Sequence, residues 1–338
     1  MVSSRPQNGA GVTAGARVLV TGAGGFVGHH LSQYLKAHGY WVRGADLKRP
    51  EYEPTGADEF VLADLRRRED ARAVVSGVDE VYALAADMGG MGFISANGAQ
   101  ILHNNLLIDV NTIEAAREHG VGRYLYSSSA CVYPEGLQQH ESIGGLKEED
   151  AYPANPQDAY GWEKLIGERL CASYAEEHGM QTRVVRLHNV FGPLGTWDGG
   201  REKAPAAICR KVAIAKQTGV PEIEIWGDGE QTRSFCYVDD AVEGIHRLMR
   251  SSVGEPLNIG QDRLISINGL VDLVEQIAGI AVRRRHISGP QGVRGRNSDN
   301  SRLRQRLDWE PRITLEQGLA HTYAWIEQQV RAGRLVNQ

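Results

Sequence analysis

Tyr160 and Lys164 stand four apart in Tyr160-Gly161-Trp162-Glu163-Lys164, and that spacing on a helix puts phenol and ammonium on one face. A lysine so placed stabilises a phenolate. An unperturbed tyrosine with pKa near 10 is only about 0.1% ionised at pH 7, so a phenolate base needs a depression of about three units, or about 4 kcal/mol. Lys164 with a second cation close to the hydroxyl is the means of supplying it. Upstream, Arg123-Tyr124-Leu125-Tyr126-Ser127 reads as a strand that ends in Ser127-Ser128-Ser129. Ser129 is then a hydroxyl to be shared with a substrate, while Ser127 and Ser128 read as strand-end turn chemistry. Cys131 follows two residues later. A thiol with pKa about 8.5 is a few per cent thiolate at pH 7 and can take a proton from carbon, although a cysteine considered alone is more often inert packing.

These groups can move protons at an alcohol carbon, but none of them accepts a hydride. The acceptor is signalled by Thr21-Gly22-Ala23-Gly24-Gly25-Phe26-Val27-Gly28, with glycines at 22, 25 and 28 between a strand and a helix. Glycines there allow a sharp turn and let a pyrophosphate approach the helix N-terminus, where unpaired N–H groups and the dipole favour negative charge. Gly22, Gly25, Phe26, Val27 and Gly28 are thus expected to line a dinucleotide. Asp46 ends the next strand, 18 residues beyond Gly28, where a carboxylate accepts from a ribose 2′-hydroxyl and repels a 2′-phosphate. NAD is therefore expected over NADP, with Lys48 and Arg49 as the nearby opposing charges. Asp64 and Leu65, after the third strand, are placed to meet the adenine, though Asp64 alone reads equally as a helix cap.

The elements that must position these residues alternate. Strands are expected at 17–21, 41–46, 59–62, 80–84, 123–127 and 182–186, with helices after Gly25, over 69–76, 101–119 and 159–178 between them. Strand and helix in alternation give parallel crossovers and an α/β Rossmann-type doubly wound sheet. After Asn189 the pattern breaks into a stretch rich in Gly, Pro and Trp, with one helix at about 205–216 and a short strand at 222–226. The expected organisation is a lead-in over 1–16, polar and disordered, then a dinucleotide-binding domain over 17–188 plus 235–265. A smaller discontinuous α/β substrate domain would cover 189–234 plus 266–330.

Composition closes off other classes. The chain has 338 residues, a formal charge of −5, 41% hydrophobic residues and 40 glycines, which is a globular composition of about two domains. The basic runs Arg66–Arg68 and Arg283–Arg285 are short and read as solvated surface, so no nucleic acid is expected as partner. No apolar stretch approaches the roughly 20 residues of a membrane helix, so no membrane partner is expected, and the first sixteen residues lack a signal-peptide core. The four cysteines (131, 171, 209 and 236) show no metal spacing and read as reduced thiols in a cytoplasm, with no metal site.

The glycine loop, Ser129 and Tyr160-x-x-x-Lys164 together resemble the extended short-chain dehydrogenase/reductases. Sugar 4,6-dehydratases of that group carry two carboxylates just after the serine or threonine; here Ala130 and Cys131 stand there, so dehydration lacks its acid. More specific are Ala85-Ala86-Asp87-Met88-Gly89-Gly90-Met91-Gly92-Phe93-Ile94, Ser129-Ala130-Cys131, Gly199-Gly200-Arg201-Glu202-Lys203-Ala204-Pro205, Trp226-Gly227-Asp228-Gly229-Glu230-Gln231-Thr232-Arg233 and Gly295-Arg296-Asn297-Ser298-Asp299-Asn300. From about Arg17 to Gln329 the chain resembles the GDP-mannose 3,5-epimerase family. The stretch 136–145 departs from it, and an insertion falls around 215–221.

The resemblance implies redox-neutral use of NAD on a nucleotide sugar. Tyr160 takes the proton of the sugar 4-hydroxyl, and the 4-keto group that forms acidifies the hydrogens at C3 and C5. Cys131 and Lys203 match the family's base and acid on opposite ring faces. Lys211, Arg233 and Arg296 match its diphosphate cations, with Gln231 and Asn189 as hydrogen-bonding partners; Arg294 is as near in sequence, and Arg296 is preferred on the resemblance alone. Gly89, Gly90 and Gly92 let a loop close over the sugar or form another tight turn. Glu202 orients Lys203 or touches substrate. A homodimer through the helices after Ile101 and Ala159 is usual for the superfamily. The sugar stays open between GDP-mannose and another activated sugar such as a GDP-heptose, and a silent NAD-binding regulator is the rival outside catalysis.

Overall fold

Val18-Leu19-Val20 carries no polar side chain, and all three are fully buried in an interior strand of a seven-stranded sheet. The computed structural model describes residues 15–334, so the disordered lead-in expected over 1–16 lies outside the described residues except for Gly15 and Ala16. In chain order the elements are β1 (Arg17–Thr21), α1 (Phe26–Ala37), β2 (Trp41–Asp46), β3 (Glu59–Leu62), α2 (Arg68–Val75), β4 (Glu80–Ala83), α3 (Met91–Ala96), α4 (Gly98–Glu118) and β5 (Arg123–Ser129). There follow α5 (Ala159–His178), β6 (Thr182–Leu187), β7 (Val190–Phe191), α6 (Ala204–Thr218), β8 (Glu222–Trp226), β9 (Thr232–Arg233), β10 (Cys236–Tyr237) and α7 (Val238–Arg250). The last are β11 (Leu257–Ile259), β12 (Ile265–Ser266), α8 (Ile267–Ala278), β13 (Arg283–Ile287), β14 (Gly295–Arg296), α9 (Ser301–Leu307) and α10 (Leu315–Arg331).

The main sheet runs β11-β6-β5-β4-β1-β2-β3, every pair parallel. Alternate residues face opposite layers. Val18, Val20, Val42, Tyr82, Leu125 and Val185 belong to the core that includes α1 and α7, whereas Leu19, Val81, Tyr124, Tyr126 and Val184 join α2, α4 and α5. Strand order reverses between β1 and β4, and the crevice beyond their carboxyl ends is where such a sheet receives a dinucleotide. Three smaller sheets, β10-β7, β13-β8 and β12-β9-β14, stand beside it, with α6, α8 and α10 packed together.

The expected helix over 159–178 and strand over 222–226 form with those bounds. Asp158 caps α5 by accepting from Gly161 N at 2.8 Å, and Gly179 ends it at φ +67°. The two basic runs lie largely at the surface, as expected, and they are engaged in ion pairs there. Arg66 pairs with Asp64 and Arg68 with Glu118, while 283–285 form β13, where β8 and α8 supply acids: Glu222 for Arg283, Glu224 for Arg285, and Asp272 with Glu275 for Arg284. The periodicity hid β13 because its apolar contacts are few and its neighbours are charged.

Candidate active site

The glycine loop after β1 turns through Gly22 at φ +72°, a conformation that side chains resist. A Cβ on Gly28 would lie 2.1 Å from Gly22 O, so α1 can start this close to the turn only with glycine there. Gly25 is the N-cap of α1 and no side chain caps it, which leaves the first-turn N–H groups near Phe26 and Val27 for an anion. Asp46 accepts from Gly24 N at 3.0 Å and from Lys48 N at 3.2 Å, so its carboxylate is held at the end of β2 with lone pairs to spare. These residues fit a dinucleotide. Asp64 is less open than expected: Arg66 binds it with Nε at 2.8 Å and Nη2 at 2.7 Å, and the pair holds the acid below its ordinary pKa, with burial opposing. Its neighbour Leu65 is buried, and Asn111 Nδ2 donates to Leu65 O.

Tyr160 is 6% exposed on α5, packed with Ile94, Ile101, Met88, Phe93 and Cys131. Gly161 makes this possible, because a Cβ there would stand 2.2 Å from Cys131 O. Lys164 Nζ lies 5.6 Å from the centre of the Tyr160 ring. The phenol is not lowered by the protein alone. Burial pushes it above its ordinary value, Lys164 and the bond to Ser129 oppose, and Cys131 and Glu163 add to the rise. A dry pocket disfavours phenolate more than one ammonium favours it, so the second cation is a requirement. Lys164 itself stays charged: burial would lower its pKa, but the Glu163 carboxylate 3.2 Å away raises it.

Ser129 Oγ accepts from Cys131 N at 3.2 Å, capping a single 3-10 turn that carries Cys131 out of β5. Cys131 is partly exposed, in contrast to the other three cysteines, which are buried. Arg296 Nη1 lies 3.2 Å from Cys131 Sγ, and Arg296 Nε donates to Gln138 Oε1 at 2.6 Å. Gln138 is wholly buried in the stretch where the family pattern fails; nothing in its spacing pointed to it. Lys203 borders the cleft, so its surface is open, yet enough protein surrounds it that desolvation lowers its pKa; Cys131 opposes and Arg296 adds to the fall. Arg233 is brought down to about 9 by burial and by the like charge of Arg296, with Cys131 opposing. Among the described residues no carboxylate bonds to Arg233 or Arg296; Arg233 donates to the carbonyls of Thr232, Gln291 and Val293. Cations without counter-ions around a thiol make an anion-binding cleft. Arg294, by contrast, is tied outside to Glu141 and Asp228.

Two loops meet over this cleft. Gly90 N donates to Arg201 O at 3.0 Å, Arg201 stacks on Phe93 at 3.7 Å, and a Cβ on Gly90 would lie 2.6 Å from Glu202 O. The glycines of 89–92 are thus neither a left-handed turn nor loose; Gly90 is the contact that closes one loop on the other, and Gly89 lies against Phe93. Glu202 does not orient Lys203. Its carboxylate accepts from Arg210 Nη2 and Gly200 N, each at 2.7 Å. Lys211 Nζ donates to Glu224 O at 2.7 Å. Gln231 Nε2 donates to Trp226 O at 3.2 Å, while its buried Oε1 has no partner. Asn189 sits at φ +42° and donates to Ser234 O at 2.9 Å.

Residues 18–260 match the model of the NAD dependent epimerase/dehydratase family. GDP-mannose 3,5-epimerase 1 of rice (Oryza sativa subsp. japonica) and GDP-mannose 3,5-epimerase of Arabidopsis thaliana are each 49% identical over 93% of this chain, covering 82% and 83% of the relatives. GDP-L-fucose synthase 1 of Arabidopsis thaliana is 30% identical over 92% of this chain and 93% of its own length. Among solved structures, UDP-glucose 4-epimerase of Thermotoga maritima superposes with TM-score 0.84 at 25% identity, over 93% of this chain and 99% of that one. UDP-glucuronic acid 4-epimerase of Bacillus cereus, in complex with UDP-glucuronic acid and NAD, superposes with TM-score 0.78 at 26% identity, over 92% and 99%. By fold, glycine loop and Ser-Tyr-Lys geometry, the chain belongs to the NAD dependent epimerase/dehydratase family.

Proposed function

We propose that the protein is an NAD-dependent epimerase that inverts C3 and C5 of GDP-mannose, giving GDP-L-galactose with some release of the 5-epimer GDP-L-gulose. One observation carries the reading: a thiol and an ammonium, Cys131 and Lys203, stand with Arg296 beside Tyr160 and Ser129. Inversion needs one group to remove a proton from carbon and another to deliver one to the opposite face. A thiol and a lysine of lowered pKa suit that exchange near neutrality. The 49% identity to two plant GDP-mannose 3,5-epimerases supports the sugar.

NAD, when bound, supplies the hydride sink and source at C4. Gly22, Gly25, Phe26, Val27, Gly28 and Asp46 hold it, with Asp64 and Leu65 toward the adenine. Tyr160 takes the proton of the 4-hydroxyl and returns it, Ser129 sharing the hydrogen bond, and Lys164 keeps a positive charge beneath the phenol. With C4 a carbonyl, Cys131 and Lys203 exchange protons at C3 and C5. Lys211, Arg233 and Arg296 meet the diphosphate, Arg296 standing 3.2 Å from the Cys131 thiol. Asn189 and Gln231 add hydrogen bonds, the unpartnered Gln231 Oε1 being an acceptor free for a ligand donor. Gly89 and Gly90, with Glu202 behind them, close the loops above the sugar. The test is incubation with GDP-mannose in deuterium oxide. Deuterium at both C3 and C5 is expected, and its absence from both would overturn the reading.

No helix among the described residues is long and apolar enough to cross a membrane. A thiol that must remain reduced supports a cytoplasmic setting. Leu107 and Val110 on α4, with Trp162 and Ile166 on α5, support a homodimer: each is a large apolar side chain left exposed on adjoining helices.

A further inference from the structure

Below Tyr160 and Lys164 lies a buried group of charges. Tyr126 Oη stands 2.8 Å from Asp109 Oδ2 and 3.0 Å from Glu163 Oε1, and Lys164 Nζ donates to it at 3.3 Å. Lys164 Nζ also lies 3.2 Å from Glu163 Oε1. Asn105 Nδ2 donates to Glu163 Oε2 at 3.0 Å, and Asn105 Oδ1 accepts from Asp87 N at 2.7 Å, which fixes the orientation of the amide. Glu163 is 0% exposed and Asp109 4%.

The donors do not suffice for two carboxylates. Tyr126 has one hydroxyl hydrogen. Given to Glu163, it leaves Asp109 Oδ2 facing a lone pair at 2.8 Å, unless Asp109 supplies a hydrogen of its own. Given to Asp109, it leaves two buried anions against a single ammonium, and an uncompensated charge in such a place is costly. Asp109 and Glu163 are also in direct hydrogen-bond contact, which two anions cannot make; with a hydrogen on Asp109 given to Glu163 that contact is met, Tyr126 is free to donate to a carboxyl oxygen, and Lys164 lies against both Tyr126 and Glu163.

We propose that Asp109 holds a proton and that Glu163 alone is the counter-charge of Lys164, acting as the positioning residue that keeps the ammonium charged beneath Tyr160. The proposal rests on the reading of Tyr160 and Lys164 as the pair that serves C4. Burial pushes the Asp109 carboxyl well above its usual range, with Lys164 opposing and Glu163 adding to the rise. Burial raises the phenols and the thiol around the cluster, Tyr124 and Cys171 beside Asp109 and Tyr126 and Tyr160 beside Lys164, and Glu168 beyond Cys171 is paired with Arg186. The site thus has one fixed positive charge, one fixed negative charge and a stored proton, all sealed from water.

Infrared difference spectra of the NAD-loaded protein at neutral pH, wild type against Asp109→Asn, test the proton directly. A protonated-carboxyl C=O band present in wild type and lost in the variant is expected; absence of the band overturns the proposal. In steady-state epimerisation, Glu163→Gln should lower kcat about tenfold with KM little changed, and move the acidic limb of the pH profile, set by Tyr160, toward lower pH because the Glu163 charge that raises the phenol is gone. Asp109→Asn should cost no more than about threefold, since it replaces a neutral group by a neutral one. An unmoved limb in Glu163→Gln, or an equal loss in both variants, overturns the proposal. If Glu163→Gln does not fold, the band and Asp109→Asn decide. Full turnover by Tyr160→Phe would instead remove the underlying reading and leave the infrared result standing.

Discussion

Arg296 Nη1 lies 3.2 Å from Cys131 Sγ, across 165 residues of sequence. The guanidinium is aimed by Gln138, and the backbone beyond it is pinned by Leu146 N, which donates to Asn297 O at 3.0 Å. A planar fork that serves a thiol and a sugar nucleotide at once is not replaced by a lysine. Arg296→Lys should slow deuterium exchange at C3 and C5 about tenfold, and Arg296→Gln about a hundredfold, in line with one or two charge-assisted hydrogen bonds. Cys131→Ala should abolish exchange at the carbon it serves and leave NAD bound. Mass spectrometry of the recovered sugar nucleotide and the absorbance of bound cofactor measure both; loss of NAD or of folding in Cys131→Ala would return the cysteine to simple packing.

The doubly wound sheet was legible because short strands rich in β-branched and aromatic residues alternate with helical spacing, β1 stopping at Gly22 and β5 in serines, and α5 because Asp158 and Gly179 mark its ends. Tyr160, Lys164 and Ser129 were legible through spacing along one helix and one strand end. The contacts that join distant segments were not. Gln138 has no periodic neighbours that single it out, and it meets Arg296 only because the stretch 134–146 crosses to β14. The sharing of one hydrogen among Tyr126, Asp109 and Glu163 depends on which faces of α4, α5 and β5 converge, and a buried carboxylate reads in sequence like a solvated one. The position of Glu202 illustrates the limit: adjacency to Lys203 suggested orientation of that lysine, whereas the start of α6 turns the carboxylate to Arg210.

Gly90 and Gly92 look alike in sequence and should behave differently. A Cβ on Gly90 would lie 2.6 Å from Glu202 O, a backbone atom that cannot swing away, whereas on Gly92 the nearest atom is the edge of Trp226 at 3.6 Å, an ordinary contact. Gly90→Ala should force the Met91 and Lys203 loops apart and lower kcat/KM for GDP-mannose by about tenfold or more, chiefly through KM, while Gly92→Ala costs less than about threefold. Equal losses in the two variants, measured by steady-state kinetics, would show that loop closure does not pass through Gly90.

His188 gives the fold an acid-sensitive joint. It is wholly buried, and its Nε2 lies 3.0 Å from Asn258 Oδ1, which also accepts from Tyr133 Oη at 2.7 Å. Asn258 Nδ2 donates to Leu146 O and Asp299 O, so Oδ1 must face the ring and Nε2 carries the hydrogen. Burial brings the imidazole down to about 3; Asn258 opposes, and Arg296 and Arg186 add to the fall. The unfolded chain binds this proton near 6.5 and the folded chain only near 3, so stability is complete above pH 6.5 and falls as pH drops through that interval. The ceiling of the effect is on the order of 5 kcal/mol. Urea midpoints at neutral pH and at about pH 4.5 should show a clear loss in wild type and a smaller one in His188→Gln. His246, lowered to about 4 by burial, supplies part of the slope that remains.

The apolar stripe on α4 and α5 sets the last expectation. Leu107 and Val110 are three apart on α4, Trp162 and Ile166 four apart on α5, and the two helices pack side by side, each leaving an apolar pair exposed. They remain 38%, 46%, 41% and 44% exposed, more than large apolar groups normally are when clustered. Two copies of this face related by a two-fold axis would bury it as an antiparallel four-helix packing, each helix meeting its equivalent or its neighbour. Val110→Glu combined with Ile166→Glu should then place carboxylates opposite their own copies and yield a monomer by light scattering, with NAD binding retained because neither residue touches the glycine loop. A dimer of unchanged stability in that double variant would move the interface elsewhere.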